Sequence, residues 1–378
     1  MRIFINAYEA NVSQRVGSNE YAFRVLWELY ELSRSDMVTV ILPTQALADL
    51  PPARPGWNYM ILGTAPFWSI TRLSTTLWKI WMTQDKADLV ISLGHYAPIF
   101  PPFPSVVCVM DLAYLEVPKN FRFSDRMKLK YFTDYSIKQS RELITISQST
   151  KTQILRWYPT YKGQITVAYP GINSPDPLKK NQDSFQDLQE HFPQLSDQYL
   201  LFVGTLQPRK NLPRLIQAFE LIAEDYPNLQ LVLAGKEGWL VDETLTAIAA
   251  AKHNDRILRV GFVSQQEKLN LMRFARAEIL VGLHEGFGIP PLESLQQGTP
   301  VIVANHASLP EVVGEAGVIV DPFEPIDIAR GLREVLDWSA KDLSRFRQKA
   351  SEQIQHFDWE QSGRIIYSRL SIIAGRSL

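Results

Sequence analysis

A strand, a glycine-rich turn and a helix follow one another in residues 278–300, EILVGLHEGFGIPPLESLQQGTP. The apolar run Glu278–Leu283 predicts the strand, and the two glycines and two prolines that come next predict a tight turn. We expect the helix to begin near Leu292 and to end at Gly298, because Pro291 suits a first helical turn and glycine suits a helix end. The free N–H groups and the dipole at such a helix start favour a bound anion.

Two carboxylates flank this turn, Glu285 on the loop and Glu293 one turn into the helix. Each can accept hydrogen bonds from hydroxyl groups on either side of a bound diphosphate. A helix-capping glutamate beside a solvated one would need no ligand, so both interpretations are open. The surrounding glycines favour the binding interpretation.

The alternation of strand and helix continues along the whole chain. Short β-branched runs alternate with apolar segments of helical period, which is typical of βαβ units on a parallel sheet. Strands are predicted at Arg2–Asn6, Met37–Leu42, Ala87–Leu93, Val106–Met110, Leu143–Ile146, Ile165–Ala168, Tyr199–Gly204, Leu229–Gly235, Ile257–Gly261, Glu278–Leu283, Pro300–Ala304 and Val318–Val320.

Two series of strands are separated by residues 170–198, which are rich in Pro, Asn, Gln, Asp and Ser and hold one short predicted helix, Phe185–Phe192. We therefore expect two doubly wound α/β domains, residues 1–172 and 173–357. Ligands of such sheets bind beyond the carboxyl ends of the strands, so the expected site is a cleft between the domains.

Length, composition and net charge exclude several classes of protein. The chain has 378 residues, which suits about two domains, and its 46% hydrophobic and 21% charged residues are typical of a globular protein. The net charge of −1 argues against a general nucleic-acid partner. Residues 1–172 carry 18 basic and 13 acidic side chains, which leaves 21 and 27 for the rest. The first half is basic and the second acidic.

The chain also lacks signals for export or metal binding. A single cysteine, Cys108, excludes an intrachain disulfide and fits a reducing compartment. The start MRIFINAYEANV is a poor secretory signal, and four prolines would break a spanning helix in the uncharged stretch Leu89–Met110. No C-x-x-C, H-E-x-x-H or Walker pattern occurs. We expect a cytoplasmic protein without metal or cofactor.

A second motif, GTLQPRKN at 204–211, follows a predicted strand and opens a helix. Arg209 and Lys210 oppose the dipole at a helix start, which an anion bound between them would explain. Ordinary exposed surface is the alternative. In the first half, Gly17 of RVGSNEYAF opens a helix where the backbone could approach a phosphate. His95 follows a strand in a proline-rich loop, where a structural role and a catalytic role are equally open.

With these motifs in place, the chain resembles the retaining glycosyltransferases of family 4, which have the GT-B fold. The segments that carry the resemblance are Glu285-GFGIPPL-Glu293, GTPVIVANHASLPEVVGEAG, VGTLQPRKNL, ITISQSTKTQI at 144–154, YPGI at 169–172, GFVSQQEKL at 261–269 and FDWEQS. The resemblance implies two Rossmann-like domains, with a C-terminal helix, about residues 358–378, crossing back to the N-terminal domain. It implies that the acceptor binds the N-terminal domain and the nucleotide-sugar donor the C-terminal one.

The resemblance also implies residue roles. Lys210, with Arg209, would hold the donor diphosphate, Glu285 the donor sugar hydroxyls and Glu293 the ribose hydroxyls. The further donor-binding positions that it implies are Gly17, Thr205, Gly261, Phe262, Val263, Gly286, Phe287, Gly288, Ile289 and Leu292. The expected reaction moves a hexose or deoxyhexose from a nucleotide-diphosphate sugar to a glycan or lipid-linked acceptor, with retention and without metal. The PRKN loop hints at mannosyl or rhamnosyl transfer in surface polysaccharide synthesis.

Two positions depart from the family pattern. Met110-Asp111 stands where members often have His-Asp, and Thr205 where many have Arg. Met110 has three explanations: the donor lacks one hydroxyl, His95 compensates as a sugar or acceptor contact, or activity has been lost. A non-catalytic nucleotide-sugar-binding partner subunit, or another GT-B enzyme such as a sugar-nucleotide epimerase, is therefore the alternative function.

Aromatic and basic segments of the first half suggest one more partner. Residues 67–82 place Trp68, Trp78 and Trp81 among apolar and cationic residues, and residues 119–130 carry five cations against one Asp. Together they could form an interfacial surface for anionic lipid or a lipid-linked acceptor, at the inner face of a membrane. The alternative is a core-facing helix, with the tryptophans at its rim, beside a solvated basic helix.

Overall fold

A computed structural model describes residues 1–83, 86–172 and 184–376, so residues 173–183 of the predicted linker lie outside the described residues. The contacts divide the chain into two compact units. The first consists of Met1–Leu115, Phe123–Gly171 and Asp358–Leu378, and the second of Glu116–Arg122 and Ile172–Phe357. Residues 116–122 therefore pack with the second unit, although their neighbours in sequence belong to the first.

The first unit is built on a parallel sheet of seven strands in the order β3-β2-β1-β4-β5-β6-β7. The strands are β1 Arg2–Asn6, β2 Met37–Leu42, β3 Trp57–Ile61, β4 Leu89–Ser92, β5 Ser105–Val109, β6 Glu142–Thr145 and β7 Gln164–Val167. Six of them confirm the predicted strands within a residue or two. The edge strand β3 was missed, because only Trp57 of its five residues is buried and the run is too mixed to show a strand pattern.

Six helices belong mainly to this first unit. They are α1 Ser18–Leu32, α2 Arg72–Met82, α3 Ala113–Glu116, α4 Phe123–Gln139, α5 Gln148–Trp157 and α14 Trp359–Ile373. The C-terminal helix α14 packs against α1, where the rings of Tyr21 and Trp359 lie 5.8 Å apart. The predicted return of the C-terminal helix to the N-terminal domain is confirmed.

The second unit has a six-stranded parallel sheet in the order β10-β9-β8-β11-β12-β13. Its strands are β8 Tyr199–Val203, β9 Gln230–Ala234, β10 Ile257–Gly261, β11 Ala277–Leu280, β12 Val301–Ala304 and β13 Gly317–Val320. Its helices are α6 Phe185–His191, α7 Leu212–Glu220, α8 Asp242–Ala250, α9 Gln265–Phe274, α10 Ile289–Gln297, α11 Leu309–Val313, α12 Pro325–Leu336 and α13 Ala340–Ile354. Short 3₁₀ turns occupy Tyr8–Ala10, Pro118–Asn120, Pro208–Lys210, Asn254–Arg256 and Gly314–Ala316.

Both sheets are doubly wound, which confirms two Rossmann-like α/β units. In each sheet the direction of strand progression reverses once, between β1 and β4 in the first and between β8 and β11 in the second. The loops that leave the carboxyl ends of strands flanking such a reversal diverge and leave a crevice for a ligand. No helix among the described residues is long and apolar enough to cross a membrane.

Candidate functional site

The two strongest sequence motifs meet at the reversal of the second sheet, because they follow the neighbouring strands β8 and β11. The backbone N–H of Leu283 donates to the carbonyl of Arg209 at 2.8 Å. Asn211 adopts a left-handed conformation with φ of 61°, and its amide donates to the carbonyls of Val281 at 3.1 Å and Pro322 at 2.6 Å. These bonds hold the two loops together.

Glu285 sits between two cations. Its Oε1 lies 2.6 Å from Lys210 Nζ and its Oε2 lies 3.0 Å from Arg209 Nη1, which also donates to the His284 carbonyl at 3.0 Å. The Lys210 and Glu285 side chains are each less than a tenth exposed. Burial raises the pKa of Glu285, but Arg209 and Lys210 outweigh it and hold that pKa below its ordinary value. Burial lowers the pKa of Lys210, although the attraction of Glu285 partly raises it again.

This geometry corrects the predicted position of the two cations at the start of an α-helix. Arg209 and Lys210 lie in the 3₁₀ turn Pro208–Lys210, whereas helix α7 begins at Leu212. The negative charge between them is the protein's own carboxylate of Glu285. The Lys210 ammonium has three donors and gives one of them to Glu285, so it can bind a second anion without releasing the first.

The helix after the glycine turn also differs from the expectation. It begins at Ile289 rather than near Leu292, and it ends before Gly298, as predicted. Pro290 and Pro291 have no N–H, so two of the first three helical residues offer no donor to an anion. The start of this helix therefore has fewer free N–H groups than the sequence analysis assumed.

A buried hydroxyl fixes the glycine turn. Ser308 Oγ lies 2.9 Å from the carbonyl oxygen of Glu285 and 2.6 Å from that of Phe287. The Phe287 ring is buried and packs edge-to-face against Phe357 at 5.4 Å. The predicted positions Gly286, Phe287 and Leu292 are all buried.

Glu293 joins a third segment to the site. Lys268 Nζ lies 2.6 Å from both carboxylate oxygens of Glu293, and Gln265 Nε2 donates to Oε1 at 3.2 Å. Lys268 and Gln265 lie on α9, which follows residues 261–263. Sequence reasoning missed both partners, although they belong to the GFVSQQEKL segment that carried the resemblance.

A third carboxyl group, Glu278 on β11, was also missed. The side chain is fully buried, and within the described part of the chain neither of its oxygens has a hydrogen-bond partner. Burial raises its pKa well above the ordinary value, Lys210 lowers it, and Glu293 and Glu285 raise it further. The burial of Glu278 therefore favours the protonated form of its carboxyl group, within the electrostatic reach of the site.

Two of the predicted glycines leave open space. Gly261 has φ of +72° and Gly17 has φ of +53°, and a Cβ atom added to either would meet no heavy atom within 4 Å. A Cβ at Gly288 would instead lie 2.7 Å from Leu309 Cδ2, so that glycine serves packing. Beside Gly261, the Phe262 ring is more than half exposed. Thr205 and Val263 are partly buried.

The first unit holds the other predicted residues. Gly17 and His95 follow β1 and β4, the strands that flank the reversal of its sheet, and Met110 and Asp111 follow β5. Burial lowers the pKa of His95, while Asp111 raises it, and His95 Nδ1 has no hydrogen-bond partner among the described residues. The Met110 side chain is only 4% exposed.

The described residues contain no group of three or more His, Cys, Asp or Glu side chains that could hold a metal ion. The single cysteine, Cys108, is fully buried on β5, and burial raises its thiol pKa to about 12. Cys108 is therefore inert as a nucleophile at neutral pH.

Comparison with known proteins places the chain in a family. Residues 183–353 match the family described as Glycosyl transferases group 1. The chain is 31% identical over 286 residues to O-antigen chain mannosyltransferase B of Escherichia coli, covering 75% of this chain and 74% of the relative. It is 30% identical over 233 residues to a glycogen synthase of Mycobacterium tuberculosis, covering 59% of this chain and about half, 52%, of that relative.

Solved structures share the fold. The sucrose-phosphate synthase of Thermosynechococcus elongatus superposes with a TM-score of 0.72 at 19% identity, over 100% of both chains. Anabaena HepE in complex with UDP and glucose superposes with a TM-score of 0.70 at 17% identity, over 98% of this chain and 99% of that one. The chain belongs to the glycosyl transferases of group 1 and is a glycosyltransferase with the GT-B type of α/β fold.

Proposed function

We propose that the chain is a retaining glycosyltransferase of family 4 that moves a hexose or deoxyhexose from a nucleotide-diphosphate sugar to a glycan or lipid-linked acceptor. One observation carries the proposal: Glu285, Lys210 and Arg209 form a buried charged cluster at the carboxyl ends of β8 and β11. Charge-assisted hydrogen bonds from lysine and arginine suit the oxygens of an anionic ligand such as a diphosphate. The donor is bound by the second unit and the acceptor by the first.

The donor contacts follow from this cluster. Lys210 and Arg209 bind the diphosphate, and Glu285, held between them, accepts hydrogen bonds from the sugar hydroxyls. Glu293 binds the ribose hydroxyls in the same way, with Lys268 setting the direction of its carboxylate. The exposed backbone at Gly261 lies against the base. The UDP and glucose bound by Anabaena HepE, which has the same fold, support a nucleotide-sugar donor.

The chemistry needs charge stabilisation more than a nucleophile. The bond between the anomeric carbon and the diphosphate oxygen breaks, and the diphosphate leaves with the electron pair. Lys210 and Arg209 stabilise its growing negative charge in a buried setting, where the interaction is strong. The acceptor hydroxyl attacks the same face, and its proton passes to the departing phosphate oxygen. Configuration is retained, and neither a metal nor a cofactor takes part.

The similarity to known glycosyltransferases supports a choice of sugar and acceptor. Mannosyl transfer in the synthesis of a surface polysaccharide is supported by the similarity to O-antigen chain mannosyltransferase B. Rhamnosyl transfer is the other candidate. We place the reaction in the cytoplasm, where nucleotide sugars are made, at the inner face of the membrane that carries a lipid-linked acceptor.

A thermal-shift panel of UDP-, GDP-, ADP- and dTDP-sugars tests the donor, because a ligand that binds only the folded protein stabilises it according to its affinity. We expect one nucleotide to raise the melting temperature selectively. Nuclear magnetic resonance of the product then reports the anomeric configuration, and activity in excess chelator reports metal independence. An inverted product, or activity abolished by chelator and restored by a divalent metal, would contradict the proposed mechanism.

A non-catalytic donor-binding subunit is the second candidate, and Met110 is the observation that favours it. Its enclosed thioether cannot donate a hydrogen bond to a sugar. An assay for slow hydrolysis of the donor selected in the thermal-shift panel separates the two functions. A binding subunit would be stabilised by the donor but would not cleave it. The Met110→His variant tests whether a lost sugar contact is restored.

A further inference from the structure

The outer surface of the first unit carries a band of aromatic side chains that the proposed chemistry does not use. We define this aromatic face as Phe67, Trp78, Trp81, Met82, Phe100 and Tyr131, each between 40% and 66% exposed. The residues come from α2, from the loop between β4 and β5, and from α4. Large apolar side chains gathered on one exposed face mark an interaction site more often than scattered ones do.

Direct contacts join four residues of this face to each other or to helix α4. Trp78 Nε1 donates to the carbonyl of Phe100 at 2.8 Å, and the rings of Trp78 and Trp81 lie 5.4 Å apart. Phe100 packs edge-to-face on Tyr135 of α4 at 5.9 Å. At the other end, Phe67 packs against Phe132 of α4 at 5.4 Å.

The two faces of α2 have different environments. Trp68, Leu73 and Leu77 are buried in a cluster with Phe4 and Val90 of the sheet. The core interpretation of the tryptophan segment is therefore right for Trp68. Trp78 and Trp81 lie at the rim of the buried face, as that interpretation expects, because each is about two-fifths exposed and follows a buried residue, Ser74 or Leu77, by four positions. About two-fifths of each of these two side chains remains exposed in the folded unit.

Cations are interleaved with the aromatic rings. Lys86 Nζ lies 5.7 Å from the centre of the Trp81 ring, and Lys128 Nζ lies 5.7 Å from that of Phe67. Helices α2 and α4 together contain six lysines and arginines against two carboxylates, Asp125 and Asp134. Asp134 accepts a hydrogen bond from Tyr158, so it is turned toward the protein.

We propose that the aromatic face docks on an anionic phospholipid bilayer. Tryptophan and tyrosine favour the headgroup region, apolar side chains enter the acyl boundary, and each nearby lysine gains from the negative surface potential. In a symmetric dimer formed through this face, the cations of one copy would lie opposite the same cations of the other copy. Charge repulsion therefore disfavours a second copy as the partner. This inference rests on the proposed function only where it assumes that the acceptor is lipid-linked. Binding of the protein to lipid does not itself require catalytic turnover.

Flotation of the full chain with vesicles tests the proposal. We expect the protein to float with vesicles of phosphatidylcholine and phosphatidylglycerol, to float far less with phosphatidylcholine alone, and to detach at high salt as charges are screened. The pair Trp81→Gln with Met82→Gln, and separately Lys86→Glu with Lys128→Glu, should each lower the partition coefficient at least about tenfold. Ile326→Gln changes an equally exposed apolar residue of the second unit and should leave flotation unchanged.

Circular dichroism, melting temperature and donor-induced stabilisation report that each variant is folded, and none should change, because the altered residues lie outside the proposed donor site. No flotation of the wild-type chain with anionic vesicles, or equal flotation of all variants, would overturn the proposal. A wild-type dimer in solution that the Trp81→Gln and Met82→Gln pair converts to a monomer would also overturn it, since the face would then bind a second copy. If the protein binds the donor but does not float with vesicles, the membrane proposal fails and the proposed function remains.

Discussion

Replacing Glu285 with Gln removes the carboxylate that pairs with both Lys210 and Arg209. Two unit charges about 4 Å apart interact by about 4 kcal/mol at an effective dielectric constant near 20. In the Glu285→Gln variant the two buried cations lose this attraction and repel each other. Removal of one partner from a buried ion pair costs about 3–5 kcal/mol, and we expect a loss of that size in the free energy of unfolding.

The same change should act in the opposite direction on nucleotide binding. A nucleoside diphosphate supplies the negative charge that the variant lacks, so it should bind the variant at least about tenfold more tightly, a gain of about 1.4 kcal/mol. Transfer should fall, because a hydrogen bond to a charged group is worth about 1.5–3 kcal/mol, or roughly 10–150-fold in rate. Tighter product binding with slower transfer is a combination that simple misfolding cannot produce.

Urea unfolding, calorimetric titration with UDP and GDP, and initial rates measure the three effects. Glu315→Gln is a matched control, because Glu315 pairs with Lys349 at 3.0 Å on the surface and should change stability by less than about 1 kcal/mol. The Glu285 pKa is depressed in the fold, so its contribution is present at neutral pH and is lost as pH falls through that pKa. A Glu285→Gln variant as stable as the control, with unchanged nucleotide affinity, would refute the reasoning.

Three further predictions concern single residues. Burial raises the pKa of Glu278 in the fold, so stability is lost as pH rises above the pKa of the unfolded chain; Glu278→Gln should stabilise the protein at pH 8 and not at pH 4 in urea unfolding. Gly261→Ala should cost about 1 kcal/mol of stability at its positive φ and weaken donor affinity at least tenfold by titration calorimetry. Arg369→Met should cost about 3–5 kcal/mol, because it leaves the Glu142 carboxylate, 2% exposed, without its cation.

Matched variants separate these effects from general damage. Gly375 also has a positive φ, +76°, and open space at its Cβ position, so Gly375→Ala should share the strain and leave donor affinity intact. Arg364 pairs with Glu360 on the surface, and Arg364→Met should change the unfolding free energy by less than about 1 kcal/mol. Equal donor affinities for the two glycine variants would contradict a ligand at Gly261. Equal stabilities for the two arginine variants would contradict a buried ion pair at Glu142. A Glu278→Gln effect that is the same at both pH values would show that its titration is not the cause.

Much of the fold could be predicted from local patterns. Buried parallel strands are short apolar runs, so twelve of the strands were found, whereas the mixed edge strand Trp57–Ile61 carried no such signal. The site was located through the glycine and proline pattern of residues 284–300, which marks a strand-to-helix turn. The helix start was misplaced by three residues, because Pro290 and Pro291 both fit a first turn and the pattern does not choose between them.

By itself the sequence determined the alternation of strands and helices, the two α/β units and the loops that carry the charged motifs, because these depend on neighbours within a few residues. Only the tertiary structure decided that Glu285 lies between Lys210 and Arg209, about 75 positions away along the chain, because the sheet order makes β8 and β11 neighbours. It also decided that Trp68 is buried while Trp78 and Trp81 face outward. Partners across a sheet and faces of a helix depend on packing, which a local pattern does not contain.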